Sequence, residues 1–108
     1  MSRIILIGIL CISFLLVKAQ GTAKIIGVIN NELEIPVKDA NISVSGVSIG
    51  AVSNFRGEFE VSVPAGKKIT LKISNVGYST RKISLTLKEN ELKRLNIKLN
   101  YVSFNDVN

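Results

Sequence analysis

Between Pro36 and Tyr78 the chain sets three turn signals at near-regular spacing. They are Ser53-Asn54-Phe55-Arg56-Gly57-Glu58-Phe59, Pro64-Ala65-Gly66 and Ser74-Asn75-Val76-Gly77-Tyr78. Each joins a residue that bends the backbone, Asn or Pro, to a glycine that accepts a positive φ. The stretches between them alternate. Phe59, Val61 and Val63 interleave with Glu58, Glu60 and Ser62, and Ile69, Leu71 and Ile73 interleave with Lys68, Thr70, Lys72 and Ser74. A period of two sends successive side chains to opposite faces of a strand. Such a chain has no helical face to bury. It predicts strands with one dry and one wet face, packed as two sheets.

The same reading extends both ways. Residues 24–29 form a first strand rich in β-branched side chains, with Gly27 marking a bulge or a close backbone approach. Pro36 holds Ile35 extended and belongs at a strand start or an edge. Residues 41–45 are a second strand, with Ala40, Ile42 and Val44 on one side. Residues 48–53 are a short third, bent or at an edge because of Gly50. Residues 58–63 and 68–74 are the fourth and fifth. The sixth, 81–88, turns Ile83, Leu85 and Leu87 inward; the seventh, 92–99, turns in Leu95, Ile97 and Leu99. The expected fold is all-β, a seven-stranded antiparallel Greek-key β-sandwich.

The first nineteen residues differ in kind. Arg3 supplies a positive start, residues 4–17 are apolar apart from Gly8, Cys11 and Ser13, and Val17-Lys18-Ala19 ends on a small residue. This is the layout of a secretory signal peptide with a helical apolar stretch. The apolar run reaches only ~21 Å as a helix, short of a ~30 Å hydrocarbon core. Cleavage is expected after Ala19, leaving a domain over residues 20–100 and a tail over 101–108. Cys11, preceded by the bulky Leu10, reads as an apolar member of this segment and not as an acylated cysteine. The mature chain is then expected to be exported, without a transmembrane span. It loses Arg3 and Lys18, so twelve Lys plus Arg face eight Asp plus Glu and net charge falls from +6 to +4.

The residue inventory restricts the chemistry. The chain has no His, and its one Cys lies in the leader. That removes the usual zinc, copper and iron ligands and the common nucleophile–base pairs. Glu32, Glu34 and Asp39 match no dense calcium loop. Glu58 and Glu60 lie on one strand face, ~7 Å apart, and read as surface glutamates facing cross-strand lysines. No catalytic, cofactor-binding or metal-binding residue is assigned, and the chain is expected not to be an enzyme. Lys68, Lys72, Arg81, Lys82, Lys88, Lys93, Arg94 and Lys98 make the last three strands basic. No aromatics interleave them, so they read as solvated, edge-protecting residues and not as a nucleic-acid face. Contact with anionic lipid or polysaccharide is the weaker alternative. Phe59 and Tyr78 read as core and corner residues, and a buried Tyr78 needs a partner for its hydroxyl. Phe55 is expected to fold back onto the sandwich end. Exposed instead, Phe55 with Arg56 would be the candidate partner contact.

Gly27-Val28-Ile29, Pro36-Val37, Ala40-Asn41-Ile42, the Ser53 to Phe59 turn, Pro64-Ala65-Gly66 and Ser74-Asn75-Val76-Gly77-Tyr78 together resemble the carboxypeptidase-regulatory-like domain, a transthyretin-like β-sandwich. The first piece matches loosely, because Val28 directly follows Gly27. The resemblance covers about residues 24–99 and supplies no catalytic residues. It implies an accessory module exported by Bacteroidota-like bacteria to the periplasm or outer membrane, or secreted. Such modules stand at the N-terminus of TonB-dependent receptors, ahead of the plug. Phe104-Asn105-Asp106-Val107-Asn108 resembles the start of the segment that leads into that plug. The implied partners are envelope or outer-membrane proteins. The alternative is a β-sandwich that binds a glycan or small ligand at its loop ends.

Overall fold

The computed structural model describes residues 21–103. The leader over residues 1–19 with Cys11, and the segment from Phe104 to Asn108, lie outside the described residues. Seven strands form: β1 (Thr22–Asn31), β2 (Asn41–Val44), β3 (Ile49–Val52), β4 (Glu58–Pro64), β5 (Lys68–Ser74), β6 (Arg81–Thr86) and β7 (Leu92–Leu99). They build a three-stranded sheet in the order β4-β1-β7 and a four-stranded sheet in the order β3-β2-β5-β6. The expected two-sheet β-sandwich is therefore present, with every strand where the alternation placed it.

One pairing departs from the all-antiparallel expectation. β1 and β7 run parallel, with Lys24 beside Leu92 and Asn31 beside Leu99. β6 descends in the four-stranded sheet. The 87–91 loop then crosses to the other sheet, so β7 climbs beside β1, which also climbs. The crossing is fixed by backbone bonds: Lys24 N–H donates to the Glu91 carbonyl at 2.9 Å and Asn90 N–H to the Thr22 carbonyl at 2.8 Å.

The core lies between the sheets. Ile25, Ile29, Ile42, Ile69, Leu71, Ile73, Val63 and Leu99 are its largest fully buried side chains. All stand at alternate positions, as a period of two requires, and each such burial contributes about 1.5–3 kcal/mol. Gly27 is a close approach and not a bulge. It pairs with Phe59 in unbroken antiparallel register, and the Phe59 ring lies where a side chain at position 27 would stand.

Register also fixes the two ends. Glu58 lies beside Val28 and Pro64 beside Thr22, so β4 descends from the end where β1 finishes. Asn41 lies beside both Val52 and Ser74. The loops β1–β2, β3–β4 and β5–β6 and the chain leaving β7 therefore converge on one end of the sandwich.

Candidate functional site

The β3–β4 turn is organised by Asn54. Its Oδ1 accepts the N–H groups of Arg56 at 3.0 Å and Glu58 at 2.9 Å, and its Nδ2 donates to Glu58 Oε1 at 3.2 Å. Gly57 takes φ 76°, the left-handed geometry expected of it. With both neighbours held this way, Phe55 projects outward and is 69% exposed. The expected fold-back does not occur, because the Asn54 bonds fix the turn and aim the ring at solvent. The Arg56 guanidinium carbon lies 5.2 Å from the Phe55 ring centroid, within cation–π range. Phe55 and Arg56 thus form one amphipathic knob at the tip.

The sandwich end around this knob is braced from beneath. Ser53, buried, accepts from Ala40 N–H at 2.9 Å and donates to the Val37 carbonyl at 2.7 Å. It ties the β3–β4 turn to the β1–β2 loop. Asn75 Nδ2 donates to the Lys38 carbonyl at 3.0 Å and ties in the β5–β6 loop. Asn31, only 4% exposed, has four partners. Its Oδ1 accepts Leu33 N–H at 2.8 Å and Ile35 N–H at 3.1 Å, and its Nδ2 donates to the hydroxyls of Tyr101 at 2.9 Å and Tyr78 at 3.3 Å. Tyr78 therefore has the hydroxyl partner it needs. Between the two gripped amides Glu34 adopts φ 61°, and Asp39 further along the loop does the same. Left-handed backbone costs about 1–2 kcal/mol in a non-glycine residue, and here the flanking hydrogen bonds hold it.

Residues 101–103, the described part of the segment expected to be tail, belong to this end. Tyr101 bridges Tyr78 in the backbone and stacks on it with ring centroids 5.1 Å apart. Val102 N–H donates to the Gly77 carbonyl at 3.0 Å. Partial desolvation, with the hydrogen bond and charge of Tyr78 next to it, raises the Tyr101 hydroxyl pKa above the usual 10.0. Asn31→Ala removes two accepted and two donated hydrogen bonds from beneath all of this. It is expected to cost about 2–3 kcal/mol in urea unfolding, since a buried, fully bonded amide leaves its partners unsatisfied.

Among the described residues nine large apolar side chains are exposed, and seven share this end: Leu33 and Ile35 on the β1–β2 loop, Val52 and Phe55 flanking Ser53 and Asn54, Val76 on the β5–β6 loop, and Tyr101 and Val102 after β7. Ile49 and Leu92 are the other two. A concentration of apolar groups at one end of a small domain marks an interaction surface more than scattered exposure does. The sequence showed Phe55 and Arg56. It did not show Leu33, Ile35, Val76 or Tyr101 beside them, whose only signal is an apolar residue inside a turn-rich segment.

The carboxylates considered earlier lie apart in function. Glu60 Oε1 pairs with Lys24 at 3.0 Å, Glu34 with Lys98 at 3.7 Å, and Glu32 accepts Tyr101 N–H at 2.9 Å. Among the described residues no three His, Cys, Asp or Glu side chains gather, and no helix is long and apolar enough to cross a membrane.

Two sheets packed face to face, with loops gathered at one end, define a β-sandwich. The chain belongs to the CarboxypepD_reg-like domain family, whose model matches residues 25–107. No curated protein matches it in sequence. Among solved structures it is similar to a chain of the type II cohesin–X-dockerin complex of Acetivibrio cellulolyticus, an N-terminal interface mutant, at TM-score 0.61 and 20% identity over 71% of this chain and 56% of that one. It is also similar to the minor pilin of Streptococcus agalactiae, at TM-score 0.60 and 11% identity over 78% and 46%. A third, 3-chlorocatechol 1,2-dioxygenase of Rhodococcus opacus, gives TM-score 0.62 and 9% identity over 79% and 62%. The chain thus spans little more than half of the cohesin–X-dockerin chain. At these identities the likeness is one of fold, and one fold here carries both an assembly chain and an enzyme.

Proposed function

We propose that this chain is a non-catalytic, exported accessory domain of the bacterial cell envelope, of the kind that precedes the plug of TonB-dependent receptors, and that its loop end docks an envelope or outer-membrane protein. The observation that carries this reading is the collection of seven exposed apolar side chains on an end braced by Asn31, Ser53 and Asn54. A braced apolar surface loses little conformational entropy on binding, which is how rigid paratopes raise affinity. Phe55 stacked under Arg56 has the composition of a binding hot spot, aromatic and guanidinium together. Membership of the CarboxypepD_reg-like family supports the accessory role. The leader pattern supports export to the periplasm or outer membrane, and the absence of His and mature Cys supports a role without catalysis.

The test is site-directed photo-crosslinking in the native envelope. A benzophenone side chain at position 55 is expected to give a discrete protein adduct, and one at Gly66, on the opposite end, none. Arg56→Glu is expected to weaken the adduct from position 55, and the recovered mature chain is expected to begin at Gln20. Equal labelling from both ends, or none from position 55, counts against the reading.

A further inference from the structure

The two outer faces of the sandwich differ in charge. The three-stranded sheet exposes both signs: Glu58 and Glu60 on β4, Lys24 on β1, Arg94 and Lys98 on β7. The four-stranded sheet does not. Its register lays Gly50, Ser43, Lys72 and Lys82 side by side in one row across β3, β2, β5 and β6. The next row is Thr70 and Ser84, reached by Ser45 at the end of β2, and the one after is Lys68 and Thr86. No Asp or Glu stands in these rows. Lys72 and Lys82 face each other directly across β5 and β6, and among the described residues neither makes an ion pair. Like charges opposite one another on adjacent strands are unfavourable, and a bound anion would relieve the repulsion.

Ser43, Ser45, Thr70, Lys72, Lys82 and Ser84 line an open depression of about 550 Å³, within the range of small-ligand sites. Its hydroxyls keep bonding capacity. Thr70 Oγ1 and Ser84 Oγ share one bond at 3.0 Å, which uses one hydrogen of two, and Ser45 Oγ only accepts, from Thr70 N–H at 3.1 Å. Ser43 has no hydrogen-bond partner in its side chain among the described residues.

We propose that this face binds an acidic polysaccharide, with a carboxylate at the Lys72–Lys82 pair and sugar hydroxyls along the serine and threonine rows. The proposal goes beyond the loop-end reading and does not rest on it. Hydroxyl side chains both donate and accept, which suits sugar hydroxyls. The depression has no apolar side chain to enter a lipid layer and no aromatic ring on which a nucleobase would stack. Lys68, four residues from Lys72 and so ~13 Å along β5, offers a second charge to a repeating anion and none to a single small one.

The test uses polygalacturonate, inorganic phosphate and phosphatidylglycerol vesicles as probes in titration calorimetry at low and moderate salt. Wild-type protein is expected to bind polygalacturonate saturably. Lys72→Gln with Lys82→Gln is expected to weaken that binding at least about tenfold, the loss of charge-assisted hydrogen bonds. Arg94→Gln with Lys98→Gln, the same charge change on the opposite sheet, is expected to leave it nearly intact. All four positions are exposed, so both double variants should fold. Equal loss in the two variants would show a net-charge effect and overturn the site. Absence of polygalacturonate binding, phosphate binding of equal strength, or vesicle binding through the same two lysines in its place would overturn the assignment to an acidic polysaccharide.

Discussion

Gly57→Ala is expected to cost about 3–6 kcal/mol, a large share of the stability of a domain this size. Three contributions add. Alanine at φ 76° pays the left-handed penalty of about 1–2 kcal/mol. Its Cβ would stand 2.3 Å from the Ile29 carbonyl oxygen and 3.3 Å from Pro36 Cβ. That oxygen is backbone near the end of the central strand β1, where it accepts Val37 N–H at 2.9 Å, and it cannot rotate away, so the turn must lift, at about 1–3 kcal/mol for overpacking. Lifting it stretches the bond from Ile29 N–H to the Gly57 carbonyl, now 2.8 Å, worth about 1 kcal/mol. Gly66 and Gly77 supply the control. They have φ 78° and 86° with nothing within 4 Å of a built Cβ, so Gly66→Ala and Gly77→Ala should pay the backbone penalty alone, about 1–2 kcal/mol. Urea unfolding of the three variants separates strain from collision. Equal losses in all three would mean that the Ile29 contact does not constrain the turn. The result also bears on function, since lifting Gly57 displaces the Phe55–Arg56 knob.

Much of this fold is legible in the sequence because strand alternation and turn glycines are local signals. Residues 68–74 need no partner to declare which side chains go inside. What is not legible is whatever depends on which strand lies beside which. The parallel β1–β7 pairing follows from a sheet-to-sheet crossing that no local pattern encodes. Asn31 reads as a loop residue in a polar run, yet it is a buried hub, because its tyrosine partners are 47 and 70 positions away. Ser53 looks like ordinary turn chemistry and is a buried clasp across thirteen positions. The lysine and hydroxyl rows of the four-stranded sheet appear only once register aligns β2, β5 and β6. Phe55 was legible as a candidate contact, but its direction was not, since the three bonds made by the Asn54 side chain decide it.

Gly27 shows what long-range packing asks of one residue. Its glycine reads in the sequence as either a bulge or a close backbone approach; the group that does approach, the Phe59 ring, is 32 positions away and identified only by the β1–β4 register. A Cβ on Gly27 would stand 2.2 Å from Phe59 Cε1 and 2.4 Å from Cζ, so Gly27→Ala must drive the ring from its place in the core, at about 1–3 kcal/mol. Phe59→Ala empties the same space and is expected to cost about 3–5 kcal/mol. The informative variant is the double one. Phe59→Leu withdraws the atoms that collide, so in its presence the methyl group added at position 27 refills part of the void that the shorter side chain leaves. Gly27→Ala with Phe59→Leu is therefore expected to be more stable than the sum of the single losses by about 1–2 kcal/mol, the coupling typical of side chains in contact. Strict additivity in denaturant unfolding would show that the ring and the glycine do not share one volume. A favourable coupling would show that glycine is needed at position 27 because phenylalanine occupies position 59, and not because the β1 backbone is strained.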